Sequence, residues 1–361
     1  MDLQGALILL GLLVIFAVGL NAYDRGRVKH RLLGLLESRF GFDGKSAEKT
    51  GKGTSPQWAK GRVLRPQSSA TEAVLEDDAS KEEPFGSIDF IVFLPGEKAV
   101  LRDAALGIYK QNEYVIDKPH RLYGQRRGTH SWSNLTKDKD DTSYDLLALA
   151  LQLADRSGAV NESELNAIVQ IALKLADALN RPTRFNMSFE QALERAIALD
   201  KFCASFDVIA TINVVADSGA AFRGPAIERG AQEARLEFGR RNIFHRRNER
   251  KEGSRHLYSL ANLYQPGSFD PLRLDVLQTQ GLTLFMSVPC VPDPVAAFAD
   301  MAETAKTLAR RLGGKLFDPD RKPLTEAGLT TIKGQIQDIA ERMATQGIAP
   351  GTINAVRLFP P

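Results

Sequence analysis

Cysteine and histidine are scarce in this chain, and their scarcity removes several kinds of chemistry. Two cysteines in 361 residues, Cys203 and Cys290, make neither a disulfide framework nor a thiolate metal quartet. They suit a reducing compartment. The five histidines, His30, His120, His130, His245 and His256, show no metal-ligand spacing. A phosphate loop is also missing. Gly44-Lys45-Ser46 has the right ending, but the motif needs glycine at position 39, where Arg39 stands. No serine lies in a nucleophile-elbow motif. The carboxylates fall on helix faces, where solvation is their ordinary role. No constellation argues for an enzyme, and none calls for a cofactor, a metal or a small-molecule substrate. A net charge of +3, much of it close to the N-terminus, gives no argument for nucleic acid.

Charge is absent altogether from Leu3 to Tyr23, a run of 21 residues. At about 1.5 Å per residue, such a run spans a hydrocarbon core of about 30 Å. Arg25, Arg27, Lys29 and Arg31 follow it at once. By the positive-inside rule the N-terminus faces out and the bulk of the chain is cytoplasmic. The expectation is a single-pass anchor over 1–23. The competing reading is a cleaved signal peptide ending near Ala17-Val18-Gly19, against which stand the acidic Asp2 and the length of the run. Residues 24–40 are basic and partly apolar, suiting either a helix on anionic lipid or a solvated flank. Residues 41–84 lack apolar periodicity and pass from basic to acidic, the pattern of a disordered linker.

Folded sequence begins near Ser87. Strand patterns occupy Ile88–Leu94 and Leu146–Leu153, with a helical stretch at Leu101–Ile108. Asn161 caps a helix whose apolar face runs from Leu165 to Leu179, and Ser188 with Gln191 opens another. The second half repeats the order: a strand at Val208–Val214, a helix at Ala226–Phe238, strands at Asn242–Arg247, His256–Leu263 and Leu282–Val288. A helix then opens on Asp293-Pro294 and stops at Gly313-Gly314, and a last one starts at Thr325. The two long helices share seven apolar positions at an offset of 133, and the same offset places Leu149, Leu151 and Leu153 on Leu282, Leu284 and Met286. Asn134-Leu135 falls on Asn262-Leu263. We expect a tandem duplication of one α+β domain, over 85–204 and 205–345, with a C-terminal tail at 346–361.

Residues 206–345 resemble the C-terminal domain family of the bacterial cell-division protein ZipA. The resemblance rests on His256-Leu-Tyr-Ser-Leu-Ala-Asn-Leu-Tyr-Gln-Pro-Gly-Ser-Phe-Asp-Pro271, with Asn242-Ile-Phe-His-Arg246 before it and Gly281-Leu-Thr-Leu-Phe-Met-Ser-Val-Pro289 after it. It implies an antiparallel sheet backed by helices on one face, in a split β-α-β arrangement. It also implies that the open face binds the C-terminal peptide of the tubulin-like GTPase FtsZ. Alternation, with the family match, assigns that face to Ile209, Thr211, Asn213, Arg241, Ile243, Ala261, Leu263, Gln265, Thr283 and Phe285. Ile209, Ile243, Leu263 and Phe285 would form an exposed apolar strip. Arg241 and Gln265 depart from the family pattern, where an apolar residue and lysine are usual. In the first copy Gln152 falls on Phe285, Ala150 on Thr283 and Pro95 on Asn213, so the aromatic anchor is expected to be missing.

The function implied is a division-site adaptor tethering FtsZ filaments to the inner membrane. The alternative is a membrane-anchored single-strand RNA binder using the same sheet face.

Overall fold

The structure, a computed structural model, describes residues 84–250 and 252–360. The expected anchor, the basic segment after it and the linker up to residue 83 lie outside the described residues. Among the described residues no helix is long and apolar enough to cross a membrane.

Apolar alternation builds two antiparallel sheets, each with helices on one face. The first comprises β1 (Asp89–Leu101), α1 (Arg102–Lys110), β2 (His120–Arg126), β3 (Trp132–Asn134), β4 (Ser143–Gln152), α2 (Glu162–Leu179), β5 (Arg184–Phe185) and α3 (Phe189–Phe206), with strand order β3-β2-β4-β1-β5. The α2 start is as expected. Asn161 Oδ1 accepts from the Glu164 amide and Glu164 Oε2 accepts from the Asn161 amide, both at 2.9 Å. Ser188 and Gln191 cap α3 in the same way. That helix continues to Phe206, through the expected domain boundary at 204/205, because the Phe202 and Phe206 rings sit 4.7 Å apart within the first core. Leu147, Leu149 and Leu151 of β4 point into that core with Phe90, Val92 and Leu94 of β1.

The second sheet follows: β6 (Ile209–Ala216), α4 (Gly224–Glu233), β7 (Leu236–Phe238), β8 (Phe244–Arg247), β9 (His256–Asn262), β10 (Gly281–Ser287), α5 (Pro294–Leu312), β11 (Gly314–Phe317) and α6 (Glu326–Thr345). Its order is β7-β8-β9-β10-β6-β11. The helix expected over Ala226–Phe238 stops at Glu233. Arg235 reverses the chain at φ 56°, and Leu236–Phe238 pairs with β8, where Phe238 meets the Phe244 ring edge-on at 5.1 Å. Asp293 Oδ1 caps α5 on the Ala296 amide at 3.0 Å, and Gly313 ends it at φ 72°.

Four strands occur in the same order in the two sheets, β2-β4-β1-β5 and β9-β10-β6-β11, each antiparallel to its neighbours. The flanking hairpins differ. β3 follows β2 and lies outside it, whereas β8 precedes β9. Asn134 therefore sits on the edge strand β3 while Asn262 pairs with Leu282 of β10, so the two Asn-Leu pairs do not occupy matching places.

The C-terminal tail belongs to the first core. Within α6, Ile336 packs into the second core and Met343 into the first. The chain then returns through Ile348 and α7 (Ile353–Leu358), which buries Ala355, Val356 and Leu358, with Phe359 beside them, against the first core. Arg357 pairs there with Asp89 at the start of β1, Nη1 donating to Oδ2 at 2.8 Å.

Candidate functional site

One face of the second sheet is covered by α4, α5 and α6. Ile212, Val214, Leu260, Leu282, Leu284 and Met286 point into that core and are buried. The strand period then fixes the opposite face. Ladder pairing aligns Thr211, Phe285, Ser259 and His245 in one row across β6, β10, β9 and β8. Asn213, Thr283 and Ala261 form the next row.

The expected site residues divide into three groups. Ile209 is 45% exposed, and Thr211, Leu263, Thr283 and Phe285 are half-buried on this face, open on their outer side. Asn213, Ile243 and Ala261 are on it but buried, at 4%, 6% and 4% exposure. Ile243 thus does not belong to an exposed strip. It precedes β8 in a tight corner: its carbonyl accepts from Gly239, and the amide of the buried Phe269 returns to the Asn242 carbonyl at 2.8 Å. Arg241 and Gln265 are exposed but lie off the sheet. Arg241 stands in the turn before β8 with φ 60°, and Gln265 follows the end of β9.

Asn213 gives the face its polar character. Its Nδ2 donates to the Asp318 carbonyl at 3.1 Å, while its Oδ1 is buried without a hydrogen-bond partner.

Three residues on this face escaped the sequence reading. Phe317 of β11 pairs with Asn213 and shares its side of the sheet, half-buried. The signal was the alternation of Lys315 and Phe317 about Leu316, just after the Gly-Gly stop. Ser259 and His245 continue the Phe285 row. His245 donates from Nε2 to the Arg240 carbonyl at 3.0 Å and accepts at Nδ1 from Ser259 Oγ at 2.8 Å. The His256 ring stacks on His245 at 4.1 Å. Burial lowers both imidazoles below their ordinary value, His256 to about 4, with the His245 neighbour adding to it.

The face offers aliphatic and aromatic contact and a few hydroxyls. That set suits an extended or helical peptide bound through apolar anchors. Among the described residues no group of three His, Cys, Asp or Glu side chains could hold a metal ion.

On the outer face of the first sheet, Gln152 and not an aromatic residue stands where Phe285 aligns, as expected, but the face carries aromatic residues on other strands. Ladder pairing places Ile91, not Pro95, opposite Ala150. Phe93, Tyr123 and Trp132 stand on that face, over a floor of Ala148 and Ala150. Aromatic side chains are present, on β1, β2 and β3 rather than on β4.

Residues 208–335 match the family model described as ZipA, C-terminal FtsZ-binding domain. Proteins named Cell division protein ZipA are similar over about a third to two fifths of the chain. The one from Ectopseudomonas mendocina is 32% identical over 156 residues, 43% of this chain and 57% of its own. That from Azotobacter vinelandii is 34% identical over 134 residues, 37% and 47% of the two chains. That from Shewanella loihica is 36% identical over 118 residues, 33% and 35%. The matched stretch thus spans between 35% and 57% of the length of these curated relatives.

Proposed function

We propose that this chain, whose residues 208–335 match the model of the ZipA C-terminal FtsZ-binding domain, is a non-enzymatic cell-division adaptor whose second sheet binds the C-terminal peptide of FtsZ. The observation that carries this reading is the outer face itself. Phe317 lies beside Asn213, Phe285 stands one row along beside Thr211, and Ile209 ends the same strand one row further on. A peptide laid there would place apolar side chains on these three. The peptide would lie over Ile209, Thr211, Asn213, Leu263, Thr283 and Phe285, with Arg241 and Gln265 at the rim. Ile243 and Ala261 act as floor. The comparisons lend no support to the RNA alternative.

The uncharged Leu3–Tyr23 run and the basic residues after it support an inner-membrane anchor, with the bulk of the chain cytoplasmic at the division site. A filament offers many tails, so weak single sites on a tethered head would suffice. The shared order of four strands supports descent of 85–206 from a duplicated copy of the same domain. The deciding experiment is co-sedimentation of the purified full chain with FtsZ filaments, with and without the FtsZ tail. Binding that survives tail removal, or is absent with the tail present, refutes the reading.

A further inference from the structure

The first sheet's outer face holds an aromatic cradle with an occupant already in it. Phe93 of β1, Tyr123 of β2 and Trp132 beside it on β3 surround a floor of Ala148 and Ala150, which leaves room above β4. Phe85 fills that room. Its ring meets Trp132 at 5.2 Å, Phe93 at 5.6 Å and Tyr123 at 5.9 Å, each nearly edge-to-face, and it is 8% exposed. Phe85 comes from no strand of this sheet. It precedes a turn in which the Asp89 amide donates to the Gly86 carbonyl at 3.1 Å and the Gly86 amide to Asp89 Oδ2 at 2.8 Å. The turn sends the chain back over the sheet that β1 is about to enter.

The cradle also has a charge preference. Arg184 of β5 lies over the Phe93 ring at 5.0 Å, and Arg121 reaches the Tyr123 hydroxyl at 3.4 Å. The sequence leading into Phe85 is Glu82-Glu83-Pro84. Acidic residues beside an aromatic anchor complement this rim. The proline narrows the free segment's conformations and so lowers the entropy of docking it.

We propose that the outer face of the first sheet is a docking site for an acidic peptide with a single aromatic anchor, and that its occupant is this chain's own segment around Phe85. The chain is thereby held on the sheet at Phe85, and the face stays closed to other peptides while Phe85 remains in place. The second sheet, whose face stays half-open, carries no such plug among the described residues. The proposal is independent of what binds the second sheet.

The test uses the full chain with Trp58→Phe, which leaves Trp132 as its one tryptophan and so as a reporter in the cradle. The probe is a synthetic peptide of residues 80–89. In the Phe85→Ala chain, the peptide should shift Trp132 emission saturably, and the same peptide with Phe85→Ala should not. The chain that keeps Phe85 should need at least about tenfold more peptide, because a tethered segment competes at an effective concentration near millimolar. A Phe85→Ala chain that melts cooperatively and ignores millimolar peptide would overturn the proposal, as would equal binding of the two peptides. Should Phe85→Ala fail to fold, Phe85→Leu preserves apolar filling. It should take up peptide with intermediate affinity, and a folded Leu variant that binds none refutes the proposal equally.

Discussion

Arg357→Met should remove about 3–5 kcal/mol of unfolding free energy, the usual consequence of leaving one member of a buried ion pair alone. The setting decides the magnitude. The Asp89 side chain is fully buried and that of Arg357 is 12% exposed. The guanidinium contacts both carboxylate oxygens, a two-pronged geometry stronger than a single contact. With the arginine gone, the carboxylate keeps the Gly86 amide as a donor, at 2.8 Å. A surface pair would be worth only about 0–1 kcal/mol. Methionine preserves most of the apolar stem, so the loss reports the charge rather than packing.

The assay is equilibrium urea unfolding followed by circular dichroism, on the wild type, Arg357→Met, Asp89→Asn and the double variant. The double variant should recover part of the loss, because the uncompensated charge is then absent. The coupling energy from the cycle should be favourable by more than about 1 kcal/mol. An Arg357→Met chain within about 1 kcal/mol of wild type would show that the pair behaves as a solvated one. The tail would then not be locked to β1 by charge.

Three further outcomes are expected. Leu284→Ala should cost about 2–5 kcal/mol by opening a cavity in the second core, whereas Phe285→Ala should leave the urea midpoint nearly unchanged and weaken FtsZ-tail binding about 30-fold, the loss of an anchor worth ~2 kcal/mol. Titration and melting of both variants separate the two faces. Stability should fall as pH drops from 6.5 towards 4, because burial keeps His245 and His256 neutral in the fold while the unfolded chain takes up protons from its ordinary value of about 6.5. His256→Gln should flatten that fall in urea midpoints measured between pH 7.5 and 5. Asn161→Ala should lower the stability of the first core by about 1 kcal/mol through loss of the α2 cap, read by thermal melting.

What could be read from the sequence was local in origin. The caps at Asn161, Ser188, Asp293 and Gly313 depend on side chains within four residues of the helix end, so the residue order alone carries them. The inward row Leu282, Leu284 and Met286 follows from the strand period, and it places Phe285 on the other side. Whether an outward residue is also exposed depends on what else arrives there, and that information is not local. Asn213 is buried because β11 comes alongside it and Asp318 takes its Nδ2, more than a hundred residues away in sequence. Ile243 is buried in a corner to which Phe269 returns.

The same reason explains the missed cradle on the first sheet. Its walls come from β1, β2 and β3, and its plug from the residues before β1. No short window of the sequence contains them together, so aligning the two halves residue by residue shows only Ala150, Gln152 and Pro95 at the places of Thr283, Phe285 and Asn213. On a sheet, two small residues in a central strand mark room above the floor as readily as they mark the loss of an anchor. The distinction lies in the neighbouring strands, where here three aromatic residues stand around the gap.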